Sequence, residues 1–370
     1  MSETTQAAIQ VTTPPAAASD RFYPLRRALE SVAGPLFALL LAAGVFSVFL
    51  MVLGKSPAEF FSLLWLGAFA SAFSVQNTLQ RAAPLLLTAL CVAVPAQLGL
   101  VIIGGEAAVA LGGLAATIVP LLVGHAWPPL VQVLMALAGI GVGAGWIAIT
   151  GLLRTRRGIN ETVASLVLSY IGIAIFNHLV EGPLRDPSSL NKPSTYAIGE
   201  PNMLGAIPGT ELHPGLIVGV IACILCWVLI FRTSLGFSMR VTGGNLRAAQ
   251  LQGLPVQKLI LLACLIGGGC AGLAGMIEVA AIQGRANASL IAGYGYAGIL
   301  IAFLSRQNPL AIIPMSILLG GIGAAGGLFQ RRMDMPDATV AVLEGFIFVS
   351  ILAAETLRGR LAWFQPRARA

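Results

Sequence analysis

Charged side chains are scarce in this 370-residue chain, at 10% of the residues, and aromatic ones account for only 7%. Hydrophobic residues make up 57%, and the mean hydropathy is +0.86. A soluble domain could not bury so much apolar surface, so the composition predicts an all-α polytopic membrane protein. The net charge of +7 does not indicate a nucleic-acid partner, because no basic block is long enough or interleaved with enough aromatic residues.

The sequence also lacks the motifs of common catalytic and nucleotide-binding sites. Its three histidines show no HxxxH spacing, and neither GxSxG nor GxxxxGK[S/T] occurs. We therefore predict no catalytic residue, no metal and no cofactor on this chain, so that any ATP must be bound by another chain. The five cysteines lie within apolar runs. Cys223 and Cys226 have CxxC spacing but no histidine or second CxxC pair nearby, and we interpret all five as packing residues.

The apolar runs predict about ten transmembrane helices within one transmembrane domain, residues 31–358. The first 20 residues are rich in Ala, Thr and Pro and have no signal-peptide pattern, so residues 1–30 are predicted to be a disordered cytoplasmic tail and residues 359–370 a basic cytoplasmic tail. The predicted spans are residues 35–53, 82–98, a third ending at Val123, 129–153, 162–180, 215–231, 259–282, 290–304, 309–328 and 338–357. With both termini inside, this topology puts fifteen of the 22 Lys and Arg residues on the cytoplasmic side.

Two connections and two irregular regions stand out in this topology. Residues 181–215 form a long proline-containing segment predicted to be an external loop, and residues 235–258 form a basic cytoplasmic segment. Near residues 60–105 and 286–306, Gly and polar residues shorten the spans. Irregular backbone at membrane depth is tolerated only where it faces protein or water, so these Gly-broken helices near the centre are also where we predict a solute path.

Three carboxylates, Glu106, Glu278 and Glu344, fall within or beside spans. A charge at the bilayer centre costs about 2.5–3.5 kcal/mol, so each needs a partner, a water-filled cavity or a proton. They either line a solute path or make structural hydrogen bonds between helices, and for Glu344 we favour the structural role. The candidate pathway residues are Gln76, Asn77, Gly104, Gly105, Glu106, Asn160 and Glu278. The three amides could instead cap helices or bond between them.

The basic segment contains the sequence RVTGGNLRAAQLQGL, residues 240–254. Its leucines, alanines and flanking glycines predict a short amphipathic helix suited to a partner's groove. The stretch resembles the cytoplasmic coupling motif of permease subunits of bacterial ABC importers, in the branched-chain amino acid, ribose and nucleoside class. The resemblance assigns ATPase coupling to Arg240, Gly243, Asn245, Arg247, Ala248, Ala249 and Gly253. Leu246 stands where proline is common in that class, and Gln250 where a basic residue is common.

Three further stretches resemble the nucleoside branch of the class, which is associated with basic membrane lipoproteins. They are GINETVASLVLSYI (residues 158–171), EGPLRDP (181–187), and EVAAIQGR with GYGYAGILIAFL (between 278 and 304). The chain departs from the pattern at Ile102, Ala108 and Ala297, where relatives often have Asn, Gln and Asp. Because polar groups are expected to line the path there, these departures bear on the identity of the solute.

The resemblance implies a non-enzymatic transport subunit of the bacterial inner membrane that imports a small polar solute, a nucleoside, by alternating access. The implied partners are a cytoplasmic ABC ATPase holding ATP and Mg²⁺, a second permease copy or paralogue, an external solute-binding (lipo)protein and the lipid bilayer. A simple sugar or an amino acid is the alternative solute. Two rival classes of protein are a secondary transporter that uses Glu106 and Glu278 for ion coupling, and a membrane enzyme.

Overall fold

A computed structural model of the chain describes residues 23–124, 127–336 and 338–357, and these form a helical bundle. The helices are α1 (Tyr23–Val52), α2 (Pro57–Ala68), α3 (Ala72–Ala96), α4 (Gly105–Val123), α5 (Pro128–Arg157), α6 (Glu161–Glu181), α7 (Gly215–Arg232), α8 (Ser234–Gly244), α9 (Leu246–Leu251), α10 (Val256–Glu278), α11 (Tyr294–Leu304), α12 (Pro309–Met333) and α13 (Ala338–Leu357). Since α1 begins at Tyr23, it takes in the last part of the predicted tail 1–30. The rest of that tail and the tail 359–370 lie outside the described residues.

Eight of the described helices are long and apolar enough to cross a membrane: α1, α3, α4, α5, α6, α7, α10 and α12. Two further apolar stretches, Ala288–Leu304 and Ala338–Ala354, are shorter. The prediction of an all-α polytopic protein is therefore confirmed. Length and hydropathy alone do not determine the number of crossings or their orientation.

The region before the second predicted span differs from the prediction. Helix α2 packs against α12, where Phe60 stacks on Phe329 with ring centroids 4.1 Å apart. Helix α3 begins at Ala72, ten residues before the predicted start, because the Ser71 hydroxyl caps it by accepting from Ser74 N (3.0 Å). Arg81, which directly precedes the predicted span 82–98, consequently lies within α3.

Helices α3 and α10 form the centre of the bundle. Helix α3 packs against α7, α10, α11 and α12, and α10 packs against α3, α4 and α5. Glycines allow the closest of these approaches: a Cβ at Gly272 of α10 would collide with the backbone of Gly139 and Gly143 in α5. The helices pack tightly here because small residues let their backbones meet.

Helices α3 and α10 cross the centre of the bundle in opposite directions. Helix α10 packs on α4 and α5, α3 packs on α11 and α12, and α4 also contacts α11. The residue just after α3, Gln97, lies against Gly243 of α8, and Cys91 of α3 lies against Gly267 of α10. The end of α3 therefore lies on the side of the bundle where α10 begins.

The bundle has two distinct ends. One end carries α8 and α9, and we call it the α8–α9 end. The other carries the loop 182–214, whose backbone bonds to the connection after α10: Thr195 N donates to Ala286 O (2.9 Å) and Leu204 N to Ala280 O (2.7 Å). We call it the long-loop end. Helix α7 connects the two, so they lie at opposite ends of a membrane-length helix.

Candidate functional site

Helix α4 begins inside the bundle, after an extended segment that α6 holds in place. Ile103 N donates to the Ser165 hydroxyl (3.0 Å), and the Thr162 hydroxyl donates to Val101 O (3.1 Å). Both partners lie in the first two turns of α6. Gly104 precedes α4 and is buried, and a Cβ there would come within 3.0 Å of Ser165 O. The start of α4 is thus packed closely against α6.

Helix α11 begins beside the start of α4, and Glu106 joins the two. One carboxylate oxygen of Glu106 accepts from Gly293 N (2.7 Å) and the other from Gly295 N (2.6 Å). Glu106 is fully buried. A Cβ at Gly295 would collide with the backbone of Gly105 and Glu106, so the two chain segments touch directly. Glu106 therefore caps the free N–H groups of α11, as anions at helix starts do. We call this contact the α4–α11 junction.

Glu278, the last residue of α10, lies behind the first turn of α11. Its Oε1 accepts from Gln283 Nε2 (3.3 Å) and from the Tyr294 hydroxyl (3.5 Å), and the side chain is almost fully buried. Its Oε2 has no hydrogen-bond partner among the described residues. The guanidinium of Arg81 is close enough to interact with it electrostatically.

A cavity of about 670 Å³ lies between α3, α11, α12 and α13. Its polar lining comes from Arg81 on α3, Tyr294 and Tyr296 on α11, and Glu344 on α13. Arg81 and Tyr296 are exposed and Glu344 is half-buried. Neither Glu106 nor Glu278 lines this cavity. The remaining lining is apolar or glycine, including Leu319, Gly320, Gly323, Val340 and Phe348.

The candidate pathway residues thus divide into groups. Gly104, Gly105 and Glu106 come together at the α4–α11 junction, and Glu278 borders it through Tyr294. Gln76 and Asn77 are half-buried in the first turns of α3.

Asn160 is the N-cap of α6, where its side-chain oxygen accepts from Thr162 N (2.9 Å) and Val163 N (3.1 Å). Of the two roles open to it from the sequence, the structure therefore supports the helix cap.

Arg81, Tyr294 and Tyr296 are site residues that sequence reasoning missed. The predicted second span begins one residue after Arg81 and so leaves it in a loop. The Ser71 cap, followed by twelve residues without Gly or Pro up to Pro84, is the signal that would have placed it in a helix. The two tyrosines belong to the GYGYAGILIAFL stretch, and nothing in their spacing shows that they face a cavity.

At the α8–α9 end, the segment predicted to couple to an ATPase forms two short helices. Helix α9 lies where the sequence predicts a short helix, and Asn245 caps it by accepting from Ala248 N (3.0 Å). Ala249 is buried against the bundle. Gly243 lies against the backbone of Gln97, where a Cβ would collide. Gly253, at φ +78, follows α9 in the left-handed conformation that glycine adopts most readily.

The outer surface of α8 and α9 is basic and apolar. Arg240 and Arg247 are exposed, and Arg240 lies over the Phe231 ring at 5.1 Å from its centroid. Leu251 is 90% exposed and Phe237 is 61% exposed. Because these residues follow the end of α7, they extend beyond a membrane-length helix.

Within the part of the chain that the structure describes, no group of three or more His, Cys, Asp or Glu is placed to hold a metal ion. The five cysteines are free thiols, four of them buried. That the chain binds no cofactor stays a prediction.

Two helix starts meet inside a bundle of membrane-length apolar helices, beside a cavity with polar lining residues, and such interrupted helices are typical of membrane transporters. Residues 74–352 match the family described as "Branched-chain amino acid transport system / permease component". The match covers most of the chain, which belongs to this family and is a permease subunit of an ABC transporter.

Three relatives are similar in sequence to this chain over most of their length. The chain is 30% identical over 332 residues to the glucose ABC transporter permease protein TsgB13 of Haloferax volcanii, covering 87% of each chain. It is 27% identical over 330 residues to the guanosine ABC transporter permease protein NupP of Bacillus subtilis, covering 88% of this chain and 94% of NupP. It is 25% identical over 332 residues to the nucleoside ABC transporter permease protein NupB of Lactococcus lactis, covering 86% and 89%.

Proposed function

We propose that this permease moves a nucleoside across the bacterial inner membrane by alternating access, as the membrane part of an ATP-driven importer. Two of the three relatives described above, NupP and NupB, are permeases for guanosine or nucleosides. The stretches at residues 158–171 and 181–187 resemble the same branch. A simple sugar is the second candidate, because TsgB13 is a glucose permease.

The topology we propose has ten crossings, with the α8–α9 end in the cytoplasm and the long-loop end outside. Eight helices and the two shorter apolar stretches supply the crossings. Helix α2 enters beside α12 and returns. Arg154, Arg156 and Arg157 lie at the end of α5, and they support a cytoplasmic position because Lys and Arg concentrate on that side. Both termini are then cytoplasmic.

The observation that carries the proposal is the exposed surface of α8 and α9. Large apolar side chains such as Leu251 and Phe237 beside Arg240 and Arg247 would be poorly placed in water. A partner groove that covers them is the docking mode of short amphipathic helices. We propose that a cytoplasmic ABC ATPase, which holds ATP and Mg²⁺, binds at this surface. A second permease copy or paralogue and an external solute-binding protein complete the complex.

A contiguous set of contacts leads from this surface to the α4–α11 junction. Gly243 lies against Gln97 just after α3, and Gln97 Nε2 donates to Gln307 O, just after α11 (3.1 Å). Helix α11 in turn begins at the junction. A movement of α8 and α9 would therefore act on the end of α11, and we propose that this opens the path to one side at a time.

Charge reversal at the α8–α9 surface tests the proposal. Arg240→Glu with Arg247→Glu should lower ATP-driven uptake about tenfold or more. The reason is that the new carboxylates would repel the acidic groups that we propose on the ATPase. Membrane insertion should stay intact. The measurement is uptake and ATPase activity of the complex in proteoliposomes.

The matched control is Arg156→Glu with Arg157→Glu, which makes the same charge change at the same end of the bundle, at exposed positions of α5. Unchanged uptake in the α8–α9 variant would remove the assignment of this surface. Accumulation of solute by vesicles that contain this chain alone would instead favour an ion-coupled transporter. A melting screen of the co-encoded binding protein against nucleosides, sugars and amino acids separates the candidate solutes.

A further inference from the structure

We propose that the cavity between α3, α11, α12 and α13 is the solute-binding site, in which Arg81 and Glu344 hydrogen-bond a neutral nucleoside and Tyr296 contacts its base. Glu106 and Glu278 do not touch the solute in this proposal, but position the wall of the cavity. The proposal rests on the proposed function for its ligand class.

The two charges share one recess near the long-loop end. Arg81 lies level with the start of α7, because its neighbour Gln80 donates to Glu211 O of the long loop and a Cβ at Gly219 would lie 3.3 Å from Ala83 O. Glu344 lies six residues from the start of α13, about 9 Å along that helix. A charge exposed to lipid is costly, whereas one that faces a water-filled path is tolerated and is typical of transport sites. The cavity supplies such a recess for both charges.

The wall formed by α11 is fixed from behind by buried carboxylates. Glu106 holds Gly293 N and Gly295 N, and Glu278 accepts from the Tyr294 hydroxyl. The Tyr294 hydroxyl therefore already donates a hydrogen bond to Glu278, and we propose that the Tyr294 ring contacts the solute. Tyr296, two residues further along α11, is exposed. A preorganised aromatic wall of this kind lowers the entropic cost of binding.

The chemistry of the lining selects a neutral polar solute with an apolar or aromatic face. A volume of about 670 Å³ lies in the range of small-molecule sites. One positive and one negative group offer donors and acceptors without favouring a net charge, so an anionic solute such as a phosphorylated nucleoside would gain one partner and meet one repulsion. Aromatic rings stack on nucleobases, and apolar residues such as Leu319 and Phe348 complete the wall.

The first test measures guanosine uptake by the complete transporter, with its ATPase and binding protein, for Arg81→Gln and Glu344→Gln. Each substitution keeps the size of the side chain roughly and removes a charged hydrogen-bond partner. With saturating guanosine and binding protein, we expect the maximal rate of uptake to fall about tenfold in each variant. The control is Val349→Ala, an exposed position on α13 that does not line the cavity. An unchanged maximal rate in both cavity variants would overturn the site.

The second test keeps Arg81 and Glu344, so it does not require the protein to fold without one of these charges. Ala341→Cys adds a thiol to the cavity lining, and Val349→Cys adds one to the same helix outside it. A charged, membrane-impermeant thiol reagent should label the first in the complete transporter, and guanosine should slow that labelling. If Ala341→Cys is not labelled, because lipid or a second copy of the chain covers the cavity, the cavity is not an aqueous site and the proposal is wrong.

The two proposals fail in different ways. Uptake of guanosine by the wild-type complex, with labelling of Ala341→Cys that guanosine does not slow, refutes this site and leaves the proposed function standing. Absence of guanosine uptake by the wild-type complex, with glucose uptake in its place, refutes both the nucleoside function and a nucleoside as the occupant of the cavity.

Discussion

Two helices of this bundle start in its interior, and they are supported in different ways. The start of α4 is held by hydroxyl groups of α6, through the bond from Ile103 N to Ser165. The start of α11 is held by both oxygens of one carboxylate, Glu106. With 19 and 11 residues, the two helices are about 28 and 16 Å long.

The difference in length explains the difference in support. Helix α4 nearly matches the roughly 30 Å thickness of a bilayer core, whereas α11 covers about half of it. The N–H group of Gly295 at the start of α11 is therefore enclosed at mid-depth by the backbone of α4, and it would be costly to leave unpaired. A buried carboxylate supplies two acceptors at once. It also leaves the outer side of α11 free to line the cavity.

Among the substitutions that test this comparison, Gly295→Ala is expected to lower the stability of the protein most. The added methyl group would run into the backbone of Gly105 and Glu106, which cannot rotate away. We expect a destabilisation of about 3 kcal/mol or more, with loss of folded protein in detergent. The measurement is the unfolding temperature and the yield of monodisperse protein.

Gly141→Ala is the matched control, because it changes a helical glycine of α5 that has nothing within 4 Å of the added methyl group. The control should unfold at the wild-type temperature or slightly above. Wild-type stability of Gly295→Ala would show that the backbones of α4 and α11 are not in contact.

The second largest loss of stability is expected from removing the carboxylate of Glu106. Glu106→Ala would leave Gly293 N and Gly295 N buried without an acceptor, at about 1–3 kcal/mol for each group. Glu106→Gln keeps one acceptor oxygen. The unfolding temperature should therefore fall in the order wild type, Gln, Ala, and uptake should fall with it. A Gln variant less stable than the Ala variant would contradict the capping role.

The sequence was sufficient to predict helices that are unbroken apolar runs. The span predicted at residues 129–153 is α5, Pro128–Arg157, and the one at 309–328 is α12, Pro309–Met333. Each begins with proline in its first turn, where the missing N–H costs nothing. Such elements are determined locally, by composition and end signals within a few residues.

The contacts of the α4–α11 junction could not be predicted in this way. Glu106 was recognised as a buried acid, but its partners lie 187 and 189 residues further along the chain. One sequence gives no measure of such distant proximity.

The second span was predicted to begin too late for a local reason, since Gln76, Asn77 and Gln80 make the first turns of α3 amphipathic. Those polar residues are accommodated because this part of α3 faces other protein segments, as the hydrogen bond from Gln80 to Glu211 O illustrates. A helix that is polar in its first turns and apolar later therefore needs its end signals, and not its hydropathy, to locate its start.

The smallest loss of stability is expected from a substitution at the start of α4. Ser165→Ala removes the acceptor of Ile103 N and should destabilise the protein by about 1 kcal/mol, because a single neutral hydrogen bond is lost and Thr162 still holds the segment through Val101 O. Ser62→Ala, which removes an exposed hydroxyl on α2, serves as the control and should have no measurable effect. Both are compared by thermal unfolding in detergent with Glu106→Ala. If Ser165→Ala destabilised as much as Glu106→Ala, the two helix starts would depend equally on their supports, and the short length of α11 would no longer explain why a carboxylate is buried there.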